Sequence, residues 1–335
     1  MFESLNTPEV SRLALVIGAF TSVAYKNIYG INPGGVIVPG FIIILFLISP
    51  IWCITTLVLS FVVYFIYKSF LEQTSYKRRT PMYVLSALSL GVANLIALLY
   101  IQLGWLVDSL DSLSGTLLPA VIAFTFTKQQ INKVVKGIAL TTLFTAFILF
   151  VTYGLFSYLF DLDFDTLKPL YLGKEIIEFK YPFIHFYITL AVGYLIYRYK
   201  DIRPGGYMVA PIAAVLLIHP LTAITFLLGC SIVYTITQLI CKFTLIVGLK
   251  RYALALFLST IYVWITELLF LYFDSTILPF KGSNIYVIVT IMSYVNDTIL
   301  YSKKEIKFYI FVTVIAAMID YILTEVCQNY WRTKI

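Results

Sequence analysis

Gly30-Ile31-Asn32-Pro33-Gly34-Gly35-Val36-Ile37-Val38-Pro39-Gly40 is the stretch that decides the fold, because it returns as Asp201-Ile202-Arg203-Pro204-Gly205-Gly206-Tyr207-Met208-Val209-Ala210-Pro211. The two glycine pairs stand 171 positions apart (34 to 205), about half of the 335-residue chain. Pro50 is matched by Pro220 at an offset of 170, and Arg78-Arg79 by Lys250-Arg251 at 172. Landmarks in one order at a nearly constant offset mark a tandem duplication. Each copy reads as a bundle of membrane helices broken by Pro-Gly-Gly.

Composition gives the class. Hydrophobic residues make up 60% of the chain, charged residues 12%, and the mean hydropathy is +0.91. A water-soluble domain carries about 25% charged residues. Apolar runs near the ~20 residues needed to cross a bilayer cover 82–107, 138–160, 253–273 and 308–326. The expected fold class is all-α, a polytopic membrane bundle of two parallel repeats with Pro/Gly-broken helices.

The formal net charge of +7 would suit nucleic acid if it formed one patch, but it does not. Basic residues cluster between apolar runs at Lys68/Lys77/Arg78/Arg79, Lys128/Lys133/Lys136, Arg198/Lys200/Arg203, Lys242/Lys250/Arg251 and Lys303/Lys304/Lys307. With Lys26 these hold 17 of the 24 Lys and Arg residues. Acidic residues gather in the alternate loops, at Asp108/Asp111, Asp161/Asp163/Asp165/Glu175/Glu178 and Asp274. Basic loops stay cytoplasmic, so both termini are expected outside, and the basic loops would face anionic lipid or an acidic partner. Glu3 and Glu9 replace the basic start of a signal peptide, so the first apolar run is read as a helix of the mature chain.

The path that follows runs inward over 10–25 and turns at the Pro-Gly-Gly loop. Residues 36–49 and 51–67 then form a hairpin broken at Pro50. Residues 82–107 go out, 116–127 return, and 137–160 go out again. The second copy repeats this with 183–197, a break at Pro220, 253–273, 285–301 and 308–326. The domains are residues 1–160 and 182–335, joined by an acidic extracytoplasmic linker at 161–181. A unit that starts and ends on one side gives parallel repeats rather than inverted ones.

Pro-Gly-Gly cannot continue a lipid-facing helix, and irregular backbone at membrane depth survives only where protein or a wet cavity satisfies it. The helix after each break would turn free N–H groups and a positive dipole end to the cytoplasmic face, with Lys26 and Arg203 nearby. Pro33, Gly34, Gly35, Pro39 and Gly40, with Arg203, Pro204, Gly205, Gly206 and Pro211, are therefore candidate contacts for a carboxylate or phosphate. A plain turn between helices is the competing reading. Ionisable side chains inside a membrane are functional candidates, which singles out Glu267, Asp297 and Asp320, with Glu325 nearer the surface. All belong to the second copy, and the first has Asn94 near the place of Glu267. Arg78, Arg79, Lys250 and Arg251 are candidate docking residues for a cytoplasmic partner, against the simpler role of topology signals.

His185 and His219 stand alone, and Cys53, Cys230, Cys241 and Cys327 show neither metal-ligand spacing nor a paired framework. No nucleotide-binding glycine motif and no hydrolase constellation is present. No cofactor or metal is expected, and any ATP site would come from another chain.

The residues now carry a resemblance. Asn32-Pro33-Gly34-Gly35-Val36-Ile37-Val38-Pro39-Gly40 is similar to the signature of the poly-γ-glutamate biosynthesis membrane proteins, the PgsC/CapC family. Gly115-Thr116-Leu117-Leu118-Pro119-Ala120-Val121-Ile122-Ala123, followed by Lys128-Gln129, resembles that family's second landmark, and Lys77-Arg78-Arg79 falls between them in the family's order. Ala120 stands where the family has glycine, and Phe124-Thr125 where it has Asn-Asp. The second copy keeps Asn296-Asp297 and lacks the proline before it. Members are usually about half this length, so the chain looks like two fused protomers.

The resemblance implies a component of poly-γ-glutamate capsule synthesis and export in the bacterial cytoplasmic membrane, not catalytic by itself. Its implied partners are a cytoplasmic Mur-ligase-like ATP-dependent amide ligase, other capsule-synthesis membrane subunits, membrane lipid and the anionic polymer. The alternative from the residues alone is a secondary transporter for a small organic anion, since Pro/Gly-broken duplicated helices also describe transporters.

Overall fold

A computed structural model describes residues 8–72, 80–102, 113–160, 182–200, 209, 213, 216, 220–273, 279–280, 284–300 and 303–332. It divides into two compact units, Met1–Lys168 and Pro169–Ile335. Every regular element among the described residues is helical.

In the first unit the helices are α1 (Pro8–Tyr29), α2 (Val38–Ile48), α3 (Pro50–Ile66), α4 (Thr80–Gln102), α5 (Leu113–Phe126) and α6 (Ile131–Phe160). The expected break at Pro50 is present. Ser49 is extended (φ −152°, ψ 103°), accepts a 3.3 Å hydrogen bond from the Trp52 amide, and so caps α3, whose first turn Pro50 opens. A π-helical turn, Tyr67–Leu71, lengthens α3. Pro119 lies inside α5 without ending it.

Two layers of contact build this unit. Helix α1 packs on α2 and α6, while α3, α4 and α5 pack on one another, and α2 touches both groups. The α1–α2 crossing is close because both sides are glycine: a Cβ on Gly18 would stand 2.5 Å from the Gly40 amide nitrogen, and one on Gly40 only 2.6 Å from the Ala14 carbonyl oxygen. Small residues at helix crossings are what membrane bundles use in place of a hydrophobic driving force. Helices α1 and α6 run in opposite directions, since Thr21 bonds Thr145 across 2.7 Å while Tyr25, one turn later, meets Gly137.

In the second unit α7 (Pro182–Lys200), α8 (Pro220–Thr244), α9 (Leu249–Tyr272), α10 (Asn284–Ile299) and α11 (Lys303–Arg332) follow the same order. Helices α6 and α11 are both 30 residues long and start 172 positions apart (131 to 303). The neighbours repeat too: α8, α9 and α10 pack mutually like α3, α4 and α5, and α7 packs on α11 as α1 does on α6. Val209, Ala213 and Leu216 are helical and buried, 171 positions after the buried Val38, Ile42 and Leu45 of α2.

Surface and interior are inverted relative to a soluble protein. Helix α6 exposes Leu140, Leu143, Phe144, Phe147 and Phe150, and α8 exposes Ile224, Leu227, Leu228, Ile232 and Leu239. The interiors hold hydroxyls, such as Thr141, Thr145, Ser259 and Thr260, which donate to helix carbonyls three or four residues back. Outward apolar and inward small polar side chains are the arrangement lipid favours. Among the described residues, Pro50–Leu71, Ile131–Leu155, Pro220–Thr244 and Leu249–Phe270 are long and apolar enough to cross a membrane. Val38–Leu47, Pro81–Ile96, Ile285–Ile299 and Ile310–Leu323 are apolar but shorter. The protein is an all-α membrane bundle.

Candidate functional site

The Pro-Gly-Gly loop of the first unit is a built structure. Helix α1 ends where the Gly30 amide donates to the Lys26 carbonyl at 2.8 Å. A tight turn follows around Pro33, with the Gly34 amide donating to the Asn32 carbonyl at 2.9 Å. Gly34 and Gly35 then take φ of +82° and +122°, a pairing that side-chain-bearing residues rarely sustain. Thus the two glycines are required by the backbone path itself. Helix α2 starts at Val38, two residues later than the 36–49 stretch suggests, because Val36 and Ile37 complete the turn. No side chain caps it: Ile37 holds the N-cap position and Pro39 lies in the first turn.

What holds the loop comes from the other end of the unit's sequence. The Asn32 amide donates to Oε1 of Gln129 at 3.1 Å. Pro33 and Tyr25 lie against Gly137, where an added Cβ would come within 3.3 Å of Pro33 and 3.0 Å of Tyr25. Gly35 faces Val121 of α5. The Pro-Gly-Gly landmark and the Lys128-Gln129 landmark, 97 residues apart between Asn32 and Gln129, therefore meet at one end of the unit. Lys128 is exposed, its Nζ 3.9 Å from the centre of the Phe124 ring. Lys133 and Lys136 are exposed on the first turns of α6, and Lys26 is half-buried. This end is basic, with no acidic side chain in the described stretches 26–40 and 121–137.

Gly40 and Pro39 are buried where α2 enters the bundle. The missing side chain of Gly40 is used by the α1 crossing. The second copy of the motif, Arg203, Pro204, Gly205, Gly206 and Pro211, lies outside the described residues, as do Arg78 and Arg79.

The second unit contains the charged interior. Glu267 on α9 and Asp297 on α10 are 4% and 2% exposed. The buried stripe of α9, which includes Ala255, Ser259, Val263, Thr266 and Glu267, turns toward α8 and α10. Arg251 Nε donates to Asn296 Oδ1 at 3.0 Å, and Asn296 Nδ2 donates to the Met292 carbonyl at 2.8 Å. Arg251 is half-buried and engaged inside its own unit, whereas Lys250 is exposed. The structure thus joins Arg251 to Asn296 and leaves Lys250 as the exposed charge of that pair. Asn94 is half-buried on α4, and Asp320 falls on α11, with its side chain outside the described residues.

Two features escape the sequence reading. Arg12 is fully buried in α1, and its signal was a lone charge in an apolar run. Gly229 of α8 is the space filled by the Tyr262 ring, whose hydroxyl donates to the Thr225 carbonyl at 2.5 Å. No spacing rule reveals such a pair, because it depends on two helices meeting. No group of residues able to hold a metal ion occurs among the described residues.

Nothing among curated proteins matches the chain, and nothing among solved structures does. The family model for capsule biosynthesis CapC matches residues 17–135 and again 188–295, so it falls in both units, contains the loop, Gln129 and Arg251, and ends one residue before Asn296. The chain belongs to the capsule biosynthesis CapC family, with the family's unit present twice in tandem.

Proposed function

We propose that this member of a capsule-synthesis family serves the making and export of poly-γ-glutamate or a similar acidic polyamide. On this reading it sits in the cytoplasmic membrane with both termini outside. It holds a cytoplasmic Mur-ligase-like, ATP-dependent amide ligase at its basic end and takes up the growing polyanion there. The observation that carries the reading is the loop at residues 30–35. Two bare glycines in left-handed conformations, fastened through Asn32 to Gln129, lie beside Lys26 and Lys128. Backbone amides without side chains and an uncapped helix start favour an anion, and the lysines add long-range attraction for a polymer that carries one charge per residue.

The test is co-purification. Tagged full-length chain, extracted in mild detergent from cells making the polymer, is expected to bring down an ATP-dependent ligase at physiological salt. Lys250→Glu with Lys128→Glu should abolish that association while membrane insertion persists. Retention of the ligase by the double variant would overturn the docking role. A small-anion transporter is the second reading, favoured by the buried Glu267 and Asp297. It predicts uptake of a small carboxylate by proteoliposomes holding the chain alone.

A further inference from the structure

The second unit's three-helix core holds a polar column that the polymer reading does not use. Helices α8 and α9 run in opposite directions, because Thr225 meets Tyr262 while Cys241 is in electrostatic range of Arg251. Helices α9 and α10 do so as well, since Arg251 at the start of one bonds Asn296 near the end of the other. Asp297 therefore lies at one end of the core. Glu267, sixteen residues beyond Arg251 on α9, lies about 24 Å along the axis from it. That is most of the ~30 Å thickness of a hydrocarbon core.

Hydroxyls occupy the interval. The buried stripe of α8 is Thr222, Thr225, Phe226, Gly229, Cys230, Val233 and Thr237. Tyr262 enters that stripe at Gly229 and bonds the Thr225 carbonyl. Cys230 stands within electrostatic range of both Tyr262 and Tyr294. Thr237 is fully buried, and its hydroxyl has no partner among the described residues. Thr298, beside Asp297, is buried and bonds the Tyr294 carbonyl at 2.7 Å.

The first unit supplies the contrast. At an offset of 172, Tyr262, Glu267, Tyr294 and Asp297 correspond to Leu90, Leu95, Ile122 and Thr125, and at 170 Gly229 corresponds to Leu59. Leu59, Leu90 and Ile122 are core residues there, each at most 2% exposed. The first unit keeps hydroxyls such as Ser60, Ser86 and Ser89 but buries no carboxylate at these places. A tyrosine in place of a leucine, with a glycine opposite to receive it, is a coordinated change in one copy. It adds ionisable groups where lipid penalises them.

We propose that α8, α9 and α10 form a proton-transfer path across the second unit, with Glu267 and Asp297 as its terminal carboxylates and Tyr262, Tyr294 and Thr237 between them. A proton taken up by the Glu267 carboxylate gives the neutral acid. It then passes by exchange through hydroxyls and intervening water, each hydroxyl accepting one proton and releasing one. It leaves from Asp297, which returns to the carboxylate. Among the described residues, the titratable and charged groups on the packed faces include Cys230 and Cys241 on α8, Tyr262, Glu267 and Arg251 on α9, and Tyr294 and Asp297 on α10. The path is independent of the polymer reading, because it needs neither ligase nor polymer.

Full-length chain in sealed liposomes, with an enclosed pH dye and a potassium diffusion potential, tests it. The wild type is expected to move protons several-fold faster than empty liposomes. Glu267→Gln and Asp297→Asn, which keep the shape of each side chain, should fall to the empty-liposome rate. Tyr262→Phe should lie between them, and Glu325→Gln, at an exposed place on α11, should match the wild type. If a carboxamide variant does not fold, the Tyr262→Phe result decides alone. Proton movement no faster than in empty liposomes, or equal in the wild type and the variants, would overturn the path.

Discussion

Gly34 and Gly35 concentrate the residue-scale argument. Their φ values of +82° and +122° would strain an alanine by roughly 1–3 kcal/mol each, and a Cβ on Gly34 would also press Val38 at 3.1 Å. Gly34→Ala/Gly35→Ala should therefore lower the melting temperature of the purified chain and abolish polymer production. Gly30→Ala shares a positive φ but meets nothing within 4 Å, so it should spare production while costing some stability. Equal losses of polymer in both variants would remove any special role for the pair. Gly229 gives a second residue-level test. Gly229→Ala drives a methyl into the Tyr262 ring, and overpacking of this kind costs about 1–3 kcal/mol. Tyr262→Leu, which restores the first unit's residue type at that position, should recover most of the melting temperature in the double variant. Absence of any recovery would show that the two positions do not share the space.

At the scale of elements, the break at Ser49-Pro50 and the break at Pro33-Gly34-Gly35 look alike in sequence and differ in kind. Ser49 caps α3 with an ordinary extended residue and a 3.3 Å hydrogen bond, so Ser49→Ala should cost about 1 kcal/mol, and Pro50→Ala should leave polymer production intact. A thermal melt and a polymer assay on the same variants check both, and loss of polymer in Pro50→Ala would put the functional break in the wrong place. The helices themselves were legible because apolar runs, prolines and basic clusters are local signals. Start and stop positions shifted where turns decided them, as at Val38, which waits for two positive-φ glycines to finish. The site was less legible. Asn32 with Gln129, Gly18 with Gly40, and Gly229 with Tyr262 are each made by two helices meeting, and no periodicity within one segment announces a partner in another. Arg251 shows the same limit. Beside Lys250 it reads as a surface charge, yet its guanidinium is spent on Asn296 inside the unit.

For the whole molecule, duplication is the organising fact: the two units repeat their helix order and their neighbours, and the family model matches each. The copies have not stayed equal. The first retains Pro119 and Lys128-Gln129, of which Gln129 fastens its loop, and the second retains Asn296-Asp297 and adds the buried Glu267. Such divergence predicts that substitutions at equivalent positions have unequal effects. The expected topology belongs to this scale too. Single cysteines placed at each terminus should react with an impermeant maleimide in intact cells, and one placed at position 250 should not. The reverse pattern would refute the assignment of both ends to the outside. The most direct measurement of the central claim is surface polymer. In capsule-forming cells whose own copy of this chain has been deleted, acidic polyamide should be absent. It should return with the wild-type chain and stay absent with the Gly34→Ala/Gly35→Ala variant present in the membrane at wild-type level. Full polymer in the deletion strain, or full restoration by the double-alanine variant, would contradict the account.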